Sequence, residues 1–119
     1  MAKPLNTAAY TASFLAQAKS EGVSEAELAA LERMIAVDPT VGELIVGSGG
    51  CRKVRLAGKG KGKSGGYRVV TFFAHAAMPV YLVAMLAKGR RENFDAREVA
   101  AMAAFAKRIL QVIAPRAVS

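Results

Sequence analysis

Lysine and arginine crowd one stretch of the chain, Gly49 to Arg68, which reads Gly-Gly-Cys-Arg-Lys-Val-Arg-Leu-Ala-Gly-Lys-Gly-Lys-Gly-Lys-Ser-Gly-Gly-Tyr-Arg. Its basic residues are Arg52, Lys53, Arg55, Lys59, Lys61, Lys63 and Arg68, and it holds no acid. No Asp or Glu occurs between Glu43 and Glu92, a span that also contains Lys88, Arg90 and Arg91. Cations gathered in this way concentrate positive potential on one part of a molecule. Polyanions, above all nucleic-acid backbones, are the expected partners.

Other chemistries find little support. Cys51 is the single cysteine and has no internal disulfide partner. It begins an apolar/basic alternation and reads as a small packed residue rather than a nucleophile, and the absence of pairs points to a reducing cytoplasm. One Cys and one His do not make a zinc site. His75 falls at a turn and reads as a surface residue. No carboxylate pair is placed for acid–base work, because every acid lies outside the basic zone, and no Ser-His-Asp set is evident. Any catalysis must therefore fall to Lys and Arg.

Two glycine patterns are also set aside. Gly60-Lys-Gly62-Lys-Ser-Gly65 matches G-x-G-x-x-G, but a dinucleotide fold needs that pattern to open a helix, and here a strand follows. Gly62-Lys63-Ser64 resembles the end of a P-loop, yet Ala57 stands where its first glycine belongs. What remains is a glycine-rich loop with three lysines, able to follow phosphates through ammonium groups and backbone N–H.

The elements that must position these residues are legible from period and punctuation. The chain has 119 residues, 53% of them hydrophobic, and a formal net charge of +8, which fits one globular domain. No apolar run approaches the ~20 residues of a membrane span, and Asn6, Thr7, Tyr10, Thr11 and Ser13 interrupt any secretory signal. Residues 5–11 suggest a short strand. Residues 12–20 suggest a helix with Phe14, Leu15 and Ala18 on one face, stopped by Gly22. Ser24 and Glu27 form a capping box, with Val23 and Leu28 as its hydrophobic staple, and Leu28, Leu31, Met34 and Ile35 repeat at helical spacing until Asp38-Pro39. These two helices read as an αα-hairpin.

Residues 42–50 form a turn-rich connector around Leu44-Ile45-Val46. From Cys51 the period becomes two, so Arg52, Val54 and Leu56 share one face of a strand and Lys53 and Arg55 the other. Residues 67–74 and 80–87 complete an antiparallel meander. Asp95 and Glu98 cap a last helix, with Phe94 and Val99 as staple and a stripe of Val99, Met102, Ala106, Ile109 and Ile113, and Pro115 closes it. The fold class is α+β: a small antiparallel sheet with two N-terminal helices and one C-terminal helix.

Several segments together resemble the RelE/ParE toxin superfamily, nearest its HigB-like branch. They are Gly47-Ser-Gly-Gly-Cys-Arg-Lys-Val-Arg, Gly60-Lys-Gly-Lys-Ser-Gly-Gly-Tyr-Arg-Val-Val, Val80-Tyr-Leu, Ala87-Lys88 and Glu92-Asn-Phe-Asp. The resemblance spans about residues 5–113. It implies the toxin of a bacterial toxin–antitoxin module, an endoribonuclease that cuts mRNA in the ribosomal A site without metal or cofactor. The RNA 2′-hydroxyl attacks the adjacent phosphate, leaving a 2′,3′-cyclic phosphate and a 5′-hydroxyl. By position it assigns catalysis to Lys53, Arg55, Arg68, Lys88 and Arg91. The remaining basic residues, Arg52, Lys59, Lys61, Lys63 and Arg90, fall to RNA binding. The implied partners are the ribosome, mRNA and a cognate antitoxin, a helix-turn-helix protein.

Arg68 can stabilise a crowded phosphorane through charge-assisted bonds, and a lysine among other cations holds its proton less tightly. RelE itself has a tyrosine in its C-terminal segment, where this chain has Phe94. A phenyl ring stacks on a base but transfers no proton. Two other functions fit the same charge pattern: a ParE-like inhibitor of DNA gyrase, and an RNA-binding protein without catalysis.

Overall fold

The computed structural model of the protein describes residues 7–57, 66–87 and 93–118. Lys59, Lys61 and Lys63 of the glycine-rich loop, and Lys88, Arg90 and Arg91 after the last strand, lie outside the described residues. The described elements are β1 (Ala8–Tyr10), α1 (Ala12–Ser20), α2 (Glu25–Val37), β2 (Glu43–Leu44), β3 (Arg52–Leu56), β4 (Tyr67–Phe72), β5 (Val80–Ala87) and α3 (Ala96–Val118).

Each helix starts where a side chain satisfies an otherwise orphaned backbone N–H. The Phe14 amide donates to Thr11 Oγ1 over 3.0 Å. At α2 the capping box is complete: Ser24 N donates to Glu27 Oε1 over 2.8 Å and Glu27 N donates to Ser24 Oγ over 3.1 Å. Val23 and Leu28 pack on the same core, as a staple should. At α3 the reciprocal bonds of Asp95 and Glu98 are both 2.8 Å. Helix α1 stops at Gly22, whose φ of +70° turns the chain so that Val23 N donates to Ala18 O over 3.0 Å.

Two expectations about helices are corrected. Leu15 does not share the buried face of α1; it is 49% exposed, while Phe14 and Ala18 are buried. The sheet covers only a narrow stripe of this short helix, and Leu15 lies just beyond it. Helix α3 does not end before Pro115 but runs through it to Val118. Proline gives up one N–H, but its fixed φ of about −65° is itself helical.

The sheet has the order β1-β5-β4-β3-β2. Strands β3, β4 and β5 form the expected antiparallel meander, and β2 adds antiparallel to β3. The outer strand β1 pairs parallel with β5, Ala8 opposite Val80 and Tyr10 opposite Leu82, so the sheet is mixed rather than purely antiparallel. A hairpin cannot join parallel neighbours, and β1 meets β5 only after the chain has passed through everything between. The N-cap of α1 and one side chain within it satisfy the β5 edge beyond β1: Thr11 Oγ1 donates to Val83 O over 2.9 Å and Met85 N donates to Gln17 Oε1 over 2.8 Å.

The two faces of the sheet bury two separate cores. Phe14 and Ala18 of α1, with Leu31 and Ile35 of α2, pack against Val54, Leu56, Tyr67, Val69, Val80, Leu82 and Met85. On the other face Met102 and Ala106 of α3 pack against Cys51, Val70, Phe72 and Val83. A bulge lets both faces close. Val70 pairs with Ala84 and Thr71 with Leu82, so Val83 is an extra residue on β5. It shifts the alternation by one, placing Val83 and Ala84 together on the α3 side.

Candidate nucleic-acid interface

The positions of the basic side chains follow from strand parity. In β3 the alternation sends Val54 and Leu56 into the core beneath α1 and α2, 2% and 4% exposed. Lys53 and Arg55 must then project from the opposite, α3-side face. The antiparallel register places Lys53 opposite Val70 and Arg55 opposite Arg68. Paired residues project from the same face with Cβ atoms about 4.5–5.5 Å apart, and Lys53 and Arg55 are ~7 Å apart along their strand. Folding thus joins Lys53 and Arg55, from before the glycine-rich loop, with Arg68 from after it.

Helix α3 leaves this part of its face open. Its buried contacts, Met102 and Ala106, meet the Val70–Phe72 end of β4. Beyond it Arg55 is exposed and Arg68 partly exposed, while Lys53, opposite Val70, is partly exposed at the margin of α3. Two like charges directly opposite each other on a sheet are unfavourable. The Arg55–Arg68 pairing suits a site that takes an anion.

Arg52 lies on the other side of β3. Its Nη1 donates to Gly42 O over 3.0 Å, bracing the turn before β2. The structure does not bring it to Lys53, Arg55 and Arg68. Its positive charge also acts on Asp38, whose carboxyl is held below the usual range, first by the Thr40 hydroxyl, then by the Thr40 amide and less by Arg52.

The structure adds one residue that sequence order concealed. Glu43 bounds the acid-free zone in the chain, yet β2 folds back and sets it directly opposite Lys53. Only a glycine permits that approach. Gly42 has φ of +98°, and a Cβ there would stand 2.5 Å from Lys53 O and 2.9 Å from Val54 Cγ2. Beside this pair lies a cleft of about 240 Å³, walled by Ile45 and Val46 on one side and by Asn93, Phe94 and Val99 on the other. The edge residues are exposed, Leu44 by 60% and Val46 by 93%. The only sequence signal for Glu43 is its place as the last acid before the basic zone.

Groups outside the cluster are accounted for by packing. Cys51 is fully buried beneath α3, and burial pushes its thiol up to about 11 despite the bond from Ser48, so it carries no nucleophile. Tyr67 is next to Arg68 in the chain but faces the other core and is 1% exposed. Burial first, then Glu27 and Glu21, raises its phenol above the usual range. Tyr10 donates to Glu32 Oε2, and Tyr81 packs edge-on against Phe105 with ring centroids 5.6 Å apart. The three tyrosines of the chain are therefore all committed elsewhere. His75 sits exposed in the turn before β5, its Nδ1 accepting from Ala77 N over 3.1 Å.

A second, larger groove of about 510 Å³ runs between the start of α1, the edge of β5 and α3. It holds none of the basic cluster. Among the described residues no helix is long and apolar enough to cross a membrane.

The α+β fold agrees with the family comparison. The family model for the RelE toxin of the RelE/RelB toxin–antitoxin system matches residues 7–116. That match takes in every described strand and most of α3. The chain belongs to the RelE toxin family.

Proposed function

We propose that this toxin is a ribosome-dependent mRNA endonuclease that cuts by 2′-hydroxyl transesterification. One observation carries the reading: Lys53, Arg55 and Arg68 converge on an open face of the sheet, with Arg55 and Arg68 directly paired. Cleavage builds negative charge on the phosphate oxygens as phosphorus becomes five-coordinate. Donors held on a sheet need little rearrangement to meet that charge. Removing one such donor typically lowers a rate by about 10²–10³-fold. Arg68 and Arg55 supply guanidinium forks to the phosphorane, and Lys53 supplies an ammonium proton.

Lys88 and Arg91, which follow β5 in the chain, complete the catalytic assignment by family position. Lys59, Lys61, Lys63 and Arg90 hold RNA mainly through charge. The motif Gly47–Arg55 and the segment Gly60–Val70 support a HigB-like place within the family. The silencing partner is an antitoxin of helix-turn-helix type with an acidic segment over the basic face, and the site of action is the cytoplasm.

The test is brief induction followed by mapping of mRNA 5′ ends. The expected result is new 5′-hydroxyl ends in phase with codons of translated messages. Intact messages together with inhibited gyrase supercoiling would move the protein to the ParE-like reading. Intact messages with RNA still bound would leave an RNA-binding protein.

A further inference from the structure

From the pairing of β2 with β3, we infer that Glu43 is the general base of the reaction. The inference rests on the ribonuclease reading and fills a gap in it. A proton must leave the 2′-hydroxyl, and Lys53, Arg55 and Arg68 are already assigned to the leaving oxygen and the phosphate oxygens. No tyrosine is free to take it, and Phe94 has no acceptor. Among the described residues, Glu43 is the one carboxylate that the strand register sets beside the basic triad, directly opposite Lys53. Among the described residues lining the adjoining cleft of about 240 Å³, Glu43 and Lys53 are the only charged ones. An ionised carboxylate is acceptor-only, so it suits the proton-taking role that Lys53 does not.

The placement also divides the labour across the phosphate. Glu43 lies on β2, Lys53 and Arg55 on β3, and Arg68 on β4. Neighbouring strands are about 4.8 Å apart, so the side chains span roughly one ribose-phosphate unit. Glu43 takes the proton of the 2′-hydroxyl. The 2′-oxygen forms a bond to phosphorus, and the bond from phosphorus to the 5′-oxygen breaks. The Lys53 ammonium gives its proton to that departing oxygen, leaving a 2′,3′-cyclic phosphate and a 5′-hydroxyl. Arg55 and Arg68 hold the phosphate oxygens throughout. The net transfer is one proton from the 2′-oxygen to the 5′-oxygen, with no oxidant or metal. Gly42 is required because only its backbone brings β2 close enough to Lys53.

A cross-strand Glu–Lys pair could serve the sheet alone, so the experiment must separate chemistry from structure. Glu43 is exposed, and Glu43→Gln keeps its shape. Single-turnover cleavage on programmed ribosomes should fall by about 10²-fold or more, the usual contribution of a positioned base. Ribosome binding and the melting temperature should stay at parental values. The remaining rate should climb about tenfold per pH unit as hydroxide takes over, and Glu43→Asp should recover part of the loss.

A substrate with sulfur in place of the scissile 5′-oxygen separates the two proton transfers, because thiolate leaves without protonation. It should restore cleavage by Lys53→Met and leave Glu43→Gln slow. Parental cleavage with an equally fast Glu43→Gln overturns the inference alone. Restoration of Glu43→Gln by the sulfur substrate also overturns it, placing Glu43 on the leaving-group side. If the parental protein cuts nothing on ribosomes, the ribonuclease reading falls and takes the inference with it.

Discussion

Arg55→Gln should make the toxin more stable while making it a worse enzyme. Arg55 stands directly opposite Arg68 in the β3–β4 ladder. Like charges in that arrangement cost about 0.2–1 kcal/mol. Arg55 is exposed, so the cost belongs at the lower half of that range. Gln keeps much of the stem and removes only the charge. For a domain near this size 1 kcal/mol is about 3–6 °C in melting temperature, so a gain of roughly 1–3 °C is expected. Salt provides the control. Screening shortens from ~10 Å at 0.1 M to ~3 Å at 1 M, so the gain should nearly vanish at 1 M KCl. The assay is urea and thermal unfolding of the antitoxin-free toxin at both salt concentrations, with unchanged urea m-value as the check that only stability moved. Cleavage should fall at the same time, the usual exchange of stability for a charged site. A variant that is less stable than the parent, or a gain that survives 1 M KCl, refutes the claim that Arg55 and Arg68 are held together against repulsion.

Three further outcomes test the framework around the site. Tyr67→Phe removes a buried hydroxyl that has no hydrogen-bond partner among the described residues, so it should be neutral or stabilising by about 1 kcal/mol in urea titration; a clear loss of stability would show that the hydroxyl is satisfied. Cys51 should resist a thiol reagent at pH 8 until urea unfolds the chain, and prompt labelling of the native protein would contradict its burial. Because folding raises this thiol from 9.0 to about 11, its contribution to stability is full below pH 9 and is lost as pH rises towards 11. Gly42→Ala forces a Cβ onto Lys53 O at a φ of +98°, so it should cost about 1–3 kcal/mol and lower cleavage by displacing Glu43; parental stability would mean that β2 yields freely.

The features legible in the chain are those that local chemistry encodes. The capping boxes at Ser24–Glu27 and Asp95–Glu98 name their own partners three residues away, and both are present. The change of period at Cys51 separates Lys53 and Arg55 from Val54 and Leu56 by alternation alone, and the strand obeys it. Pairing between distant strands has no such local signature. Three residues of β1 carry too little pattern to show that they lie parallel to β5. The direct opposition of Arg55 and Arg68 depends on the β3–β4 register, across a loop whose length alone does not fix it. Glu43 is hidden for the same reason. Distance along the sequence makes it the boundary of the basic zone, while the turn at Gly42 makes it Lys53's neighbour. The full extent of α3 escapes a reading of the chain because a proline costs one bond, and that cost does not by itself end a helix.

The most direct test of the account is single-turnover cleavage of mRNA on programmed ribosomes by the parental toxin and by Arg68→Ala, with ribosome binding measured beside it. Arg68 is held on β4 opposite Arg55, the position proposed to meet the charge that develops on the phosphate. The account predicts parental cleavage to a 2′,3′-cyclic phosphate and a 5′-hydroxyl, with Arg68→Ala slower by about 10²-fold or more at nearly unchanged binding. Arg68→Lys should recover little, because a point charge does not reproduce the planar fork. Cleavage by Arg68→Ala at the parental rate, or loss of binding and cleavage together, would contradict it.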